Sequence, residues 1–293
     1  MPQIPLIFLF EGLALPTAEV AAAASRVLVH VSILVYNFGF IPLIVLGVTS
    51  LVPPPALLRD GFFALAAVPT TTSMCVMHST AAGGNAPLAA FAALLANVCA
   101  VGVTPAILGW ACATAGVDYM ALTLGIAGKM ALPLVLGQLL RRLSRVMDLL
   151  ASHAAAVALI NRGLILALLI QILSDIIYWG GRISAPTLAI VVPTVIGLHL
   201  LTFGIAWSVL SAACAATTRD RIAVTYAASH KTVVLGLPLL RAAFADRPPE
   251  DRAIILLPLI CYHVFTLLFG LAIAPRLSAV VALAAPTKAG VMM

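Results

Sequence analysis

Apolar runs the length of a bilayer dominate this chain, and two of them are interrupted in the middle by polar residues. That combination leaves few folds open. A spanning helix needs about 20 mostly apolar residues. A backbone opened at bilayer depth is tolerated only where protein buries it or where it lines a cavity. Of the 293 residues, 63% are hydrophobic and 9% charged, against about 45–50% and about 25% in soluble domains. Too little polar surface remains to coat a globule in water. The runs are continuous, not alternating, which argues against a transmembrane barrel. The chain reads as an all-α multi-pass membrane protein.

Nine spans are predicted, near residues 2–15, 26–51, 57–83, 86–112, 119–140, 163–179, 186–216, 219–244 and 253–274. The tail from Pro275 is short and mixed in composition and is expected to be poorly ordered. The first span is read as a membrane segment, not a cleaved leader. No Lys or Arg precedes Ile4–Phe10, and Glu11 follows at once. Basic residues set orientation. With the arginine-rich linker after span five in the cytoplasm, Arg26, Arg141, Arg142, Arg145, Arg162, Arg219, Arg221, Arg276 and Lys288 share that side. Arg59, Arg182, Arg241, Arg247 and Arg252 take the other. The C-terminus is then cytoplasmic. The net charge of +6 is carried largely at helix ends and is not a nucleic-acid signal.

Spans three and eight share a plan. Each begins as an apolar helix, meets a polar run, resumes, and turns into a long helix. The runs are Pro69–Ser73 and Ser229–Thr232. Interrupted segments at matching places in two halves point to a transporter built from inverted repeats. The chain is read as one transmembrane domain over 1–293, with 1–112 the remainder of a first repeat, 119–275 the second and 276–293 a tail. Spans one to four pair with six to nine, and span five lacks a partner. A complete five-plus-five repeat would have one more helix before Met1, so a shortened N-terminus is expected.

Several motifs carry a resemblance: Phe10-Glu11-Gly12-Leu13-Ala14-Leu15, Gly83-Gly84-Asn85, Leu132-Pro133-Leu134-Val135-Leu136-Gly137-Gln138, Ser229-His230-Lys231-Thr232 with Leu235-Gly236-Leu237-Pro238, and Leu257-Pro258-Leu259-Ile260-Cys261-Tyr262-His263. They resemble the sodium/bile acid cotransporter superfamily, within it the subgroup called sodium/bile acid cotransporter 7. The resemblance implies a panel domain, a core domain and two interrupted helices that cross in the core. It implies sodium held by a glutamate and a glutamine of the second interrupted helix and an earlier glutamine. Those positions fall here at Tyr226, His230 and near Asn37. A second sodium site of Ser, Asn and Thr falls near Cys75, Val76, Ala89 and Ala93. Most sodium ligands are therefore expected to be missing.

The candidate substrate- and ion-binding residues are Lys231, His230, Ser229, Thr232, Thr70, Thr71, Thr72, Ser73, Asn37 and Tyr226. A charged side chain at mid-bilayer costs about 2.5–3.5 kcal/mol even on the lenient insertion scale. Lys231 therefore needs a partner, a cavity or an opened backbone. It would replace a bound sodium ion or pair with an anionic solute, against the plainer role of a helix C-cap. His230 titrates near neutrality when unperturbed and is a candidate proton relay. The hydroxyls of residues 70–73 either serve the opened backbone or bond within their own helix. His78 is a weaker candidate; His30, His199 and His263 read as structural. Glu11 and Asp175 read as solvated anchors at helix ends, and no carboxylate falls near the middle of either interrupted helix. Lys129 reads as a snorkelling cation. Cys75, Cys99, Cys112, Cys214 and Cys261 lack metal-type spacing and read as core residues. No enzyme motif and no cofactor is expected; sodium or a proton is the candidate coupling ion. The expected function is secondary transport of an organic anion. The competing expectation is a non-transporting regulator of ion (calcium) homeostasis with the same fold.

Overall fold

The structure, a computed structural model, describes residues 3–14, 23–112, 119–179 and 183–284. Every element of secondary structure among them is helical. The helices are α1 (Gln3–Ala14), α2 (Val27–Leu51), α3 (Ala56–Ala67), α4 (Thr72–Ala81), α5 (Ala86–Ala111), α6 (119–140), α7 (Ser144–Ser152), α8 (Ala154–Trp179), α9 (Ala185–Cys214), α10 (Thr218–Ser229), α11 (Val233–Ala243) and α12 (Pro249–Ala284). Among the described residues, α2, α5, Thr123–Leu140 of α6, α9 and α12 are long and apolar enough to cross a bilayer.

The two interruptions are real breaks. The first opens Val68–Thr71, where Val68 and Thr71 are extended, at φ −74°, ψ 149° and φ −92°, ψ 128°. Proline at 69 explains the stop, because its ring disfavours helical geometry at the preceding residue. The second opens residues 230–232, with His230 at φ −82°, ψ 154° and Thr232 at φ −90°, ψ 131°. No proline or glycine lies in it. Ser73 and Ser229, assigned to the polar runs from sequence, lie inside helices. The breaks touch: the Thr232 amide donates to the Pro69 carbonyl at 2.9 Å.

Two groupings of helices form. α1 lies against α6 and α8, while α2–α5 and α9–α12 pack around the breaks. In the first group, a Cβ at Gly12 would strike the Leu134 carbonyl, and one at Gly137 the Leu9 carbonyl. Small residues there let two backbones pass closely. In the second, the turn at Gly83-Gly84-Asn85 docks on the start of α10. Gly83 takes φ +71°, a conformation glycine reaches without steric cost. The Asn85 side chain caps α5 through the Leu88 amide (3.1 Å) and donates to Asp220 (2.8 Å). Asp220 also pairs with Arg26.

Two expectations are corrected. The linker after α6 is not open chain: α7 occupies it, and α8 begins at Ala154, well before residue 163, because an alanine-rich stretch continues the helix. The final helix runs through Pro275 to Ala284, so the described tail is helical. Helices α2, α6 and α9 each contain a π-helical turn, at Tyr36–Phe40, Ala127–Ala131 and Ala206–Leu210.

Candidate functional site

Opening a helix at bilayer depth frees carbonyls that water cannot reach, so each needs a protein donor. At the first break the accounting closes over five successive residues. Lys231 Nζ donates to the carbonyls of Ala66 and Val68, both at 2.9 Å. Thr104 Oγ1 donates to Ala67 (2.7 Å), the Thr232 amide to Pro69, and Asn97 Nδ2 to Thr70 (3.2 Å). At the second break, Asn37 Nδ2 reaches the carbonyls of Ala227 (3.1 Å) and Ala228 (3.4 Å). Tyr262 Oη donates to Ser229 at 2.5 Å, and Cys75 Sγ to Tyr226 at 3.4 Å.

Lys231 is the centre of this arrangement. It is 1% exposed. Besides Ala66 and Val68, Nζ meets Asn37 Oδ1 at 2.6 Å and the Asn37 carbonyl at 3.2 Å. An ammonium has three N–H donors; here four oxygens share them. Asn37 offers both oxygens because it sits in the π-helical turn of α2, an insertion common at functional sites. Lys231 thus supplies, from the second broken helix, a positive cap for the C-terminal end of α3, where the helix dipole is negative. The cap and the cation readings describe the same geometry. The reading that Lys231 pairs with an anionic solute loses ground, since its donors are already engaged by neutral oxygens.

The remaining sequence candidates divide. Thr232 caps α11 at Leu235 (3.5 Å). Thr70 shares a hydrogen bond with Cys75 Sγ (3.2 Å), and Thr72 Oγ1 accepts from Asn97 (3.4 Å). Thr71 is the residue before α4 and makes no side-chain cap. Tyr226 Oη donates to Gly270 at 3.1 Å. Ser229 Oγ bonds back to Thr225 at 2.8 Å. His230 is fully buried, its Nε2 2.9 Å from Nδ1 of His78. Ser73 leaves the group: it is exposed and points to Glu11 Oε1 at 3.4 Å.

Sequence reasoning missed Asn97 and the role of Tyr262, and gave Cys75 and Glu11 other roles. Asn97 lies one turn beyond Ala93, so an amide does serve the first crossing. A lone amide on an otherwise apolar helix was its signal. Glu11 is the larger correction. Read as a solvated anchor, its carboxylate lies at the first turn of α4, beside Ser73, where helix amides favour an anion. Asp175 lies in α8 with a side chain outside the described residues; Lys129 is exposed. His199, read as structural, belongs to the buried histidine group, its ring 5.8 Å from that of His230.

Residues 2–279 match the SBF-like CPA transporter family. The chain belongs to that family. Among curated relatives, it is 27% identical to sodium/bile acid cotransporter 7-B of Xenopus laevis over 284 residues, covering 94% of this chain and 80% of the relative. It is 26% identical to sodium/bile acid cotransporter 7 of Xenopus tropicalis over 284 residues, with the same coverage. It is 26% identical to the protein of that name in Rattus norvegicus over 292 residues, covering 94% and 81%. The family is one of transporters, and the chain is a multi-pass membrane protein. The regulator reading gains nothing from these findings.

Proposed function

We propose that this chain is a secondary transporter of an organic anion in which the ammonium of Lys231 stands at the crossing where sodium-coupled relatives hold a cation. The single observation that carries this is the oxygen cage around Nζ. Carbonyl and amide oxygens ring the nitrogen as they would ring a dehydrated monovalent cation. A covalently held cation cannot be carried across and released. The crossing therefore needs no sodium ion. The transporter family and the printed names of the relatives support the anionic solute.

In this reading α1, α6 and α8 form the panel, and the helices around the breaks form the core. With each broken pair counted as one span and α7 left out, the chain crosses nine times. The core moves against the panel around a fixed site. The first turn of α4 carries amides without helix partners and borders α1, where Ser73 meets Glu11. An anionic solute would bind there in exchange for the Glu11 carboxylate.

The test is uptake into proteoliposomes, with radiolabelled taurocholate and simple organic carboxylates as probes. Uptake is expected to be unchanged when N-methylglucamine replaces sodium, and to be lost in Lys231→Gln. Uptake that requires an inward sodium gradient overturns the assignment of Lys231; no flux of any probe supports the regulator reading instead.

A further inference from the structure

Two imidazoles meet beside the crossing. His78 of α4 and His230 of the second break are both 0% exposed, with Nδ1 of one 2.9 Å from Nε2 of the other. Two neutral imidazoles have four ring nitrogens and two protons. One proton occupies the shared gap. The other sits on an outer nitrogen, which leaves the remaining outer nitrogen bare. The pair therefore has a vacancy for one proton whichever tautomer it adopts.

The surroundings favour filling it. The outer nitrogen of His230, Nδ1, faces Ser229 Oγ at 3.4 Å. That hydroxyl spends its own hydrogen on the Thr225 carbonyl, so it is available to Nδ1 only as an acceptor. The outer nitrogen of His78, Nε2, is buried without a hydrogen-bond partner, and the Leu267 backbone carbonyl lies beside the ring. An oxygen thus stands at the outer nitrogen of His230, and the Leu267 carbonyl lies beside the His78 ring. In the singly protonated pair the central bond becomes charge-assisted, which roughly doubles a hydrogen bond's strength. The rings cannot easily turn away. A Cβ added at Gly270 would strike the His78 ring, and Tyr226 packs against both imidazoles, with centroids at 5.3 and 5.2 Å.

We propose that the His78–His230 pair is a proton-binding site, and that the proton it takes is the one coupled to the solute. The second part rests on the transporter reading above. Around the pair stand His199 of α9, His263 and Tyr262 of α12, Tyr226 of α10 and the adjacent Lys231. The Tyr262 hydroxyl donates to Ser229, so His199 Nδ1, 3.1 Å away, must donate to it. His199 then carries a proton at Nδ1. Among the described residues, no carboxylate belongs to this group. A proton on the pair therefore places a second positive charge next to Lys231, with no negative partner among them. An anionic solute at the crossing supplies that partner. Proton and anion then favour each other's binding, reciprocally, which is the thermodynamic requirement for symport.

The proton site is tested without transport, on full-length protein in lipid nanodiscs with ¹⁵N-labelled histidine. Ring nitrogen shifts separate bare from protonated nitrogens, and single His→Gln variants assign the signals. The expected result is one proton taken up in a single step shared by His78 and His230, both outer nitrogens ending protonated. Independent titration of the two rings, or no uptake while the protein stays folded, overturns the site. The coupling is tested in proteoliposomes loaded with a pH-sensitive dye, with taurocholate as the probe anion. Wild type should acidify the lumen as the probe enters, and His78→Gln should carry the probe with little proton. In the nanodisc titration, the probe should raise the pair's proton affinity about 5–150-fold, the usual range of such coupling. Probe flux in wild type without proton movement overturns the coupling. Absence of all flux, with the shared titration intact, overturns the transporter reading and upholds the proton site.

Discussion

Removing the ammonium at residue 231 is the sharpest perturbation available. In Lys231→Ala, the carbonyls of Ala66, Val68 and Asn37 and the Asn37 Oδ1 lose their shared donor. A hydrogen bond to a charged group contributes about 1.5–3 kcal/mol, and a buried acceptor left alone costs about 1–3 kcal/mol. These figures do not add, because four oxygens share three N–H groups. Dismantling one side of a buried charged network costs about 3–5 kcal/mol, and the same figure is expected here. Against a total stability of about 5–15 kcal/mol, the variant should fold but melt early. The alanine leaves a void walled by oxygens in place of the lysine stem and head. If those oxygens form a cation site, a free monovalent cation should enter it. A cation present at 100 times its dissociation constant restores about 2.7 kcal/mol. The cysteine thiols in the apolar helices suit a melting assay with a thiol-reactive dye. Sodium, potassium or ammonium chloride should raise the midpoint of Lys231→Ala relative to N-methylglucamine chloride, and should leave wild type unmoved. Equal midpoints in all four salts would refute the cation-site reasoning and leave Lys231 as a helix cap alone.

Three other outcomes are expected. Glu11→Gln removes the carboxylate that shares the first turn of α4 with Ser73; the KM for an anionic probe should fall in uptake assays, with a change in stability of about 1 kcal/mol or less, because the amide fills the same space. Gly84→Ala places a Cβ 2.6 Å from Ile222 Cγ2 and should cost about 1–3 kcal/mol by overpacking, a cost that should largely vanish when the same change is made in an Ile222→Ala background. A double-mutant cycle on Arg26 and Asp220, whose side chains are 38% and 2% exposed, should give a coupling of about 0.5–3 kcal/mol by thermal melts; additive effects would show that the α2–α10 tie contributes nothing.

How much of this was legible beforehand depends on the kind of constraint. The first break was written in the chain, because Pro69 disfavours helical geometry at the residue before it. The second was visible only as a misplaced polar run. Residues 230–232 contain no breaker, and the helix opens because its backbone and Lys231 find better partners across the crossing than along the helix axis. Glu11 was misread for a related reason. Its place at the end of a short helix suggested solvent, yet α1 delivers it to the start of α4. The π-helical turn that lets Asn37 present both oxygens left no mark in periodicity, since one extra residue per turn hardly disturbs an apolar pattern.

Composition and segment length alone determined a multi-pass helical membrane protein. The placing of polar runs in two like segments located the two helix breaks to within a turn of helix. Those are properties of water, lipid and backbone geometry, and they act on any stretch of chain wherever it packs. The role of each polar side chain was decided by the tertiary structure. At bilayer depth every donor must find an acceptor inside the protein, so the meaning of Lys231 lies in Ala66, Val68 and Asn37. Likewise His230 acquires its chemistry from His78, 152 residues away in sequence.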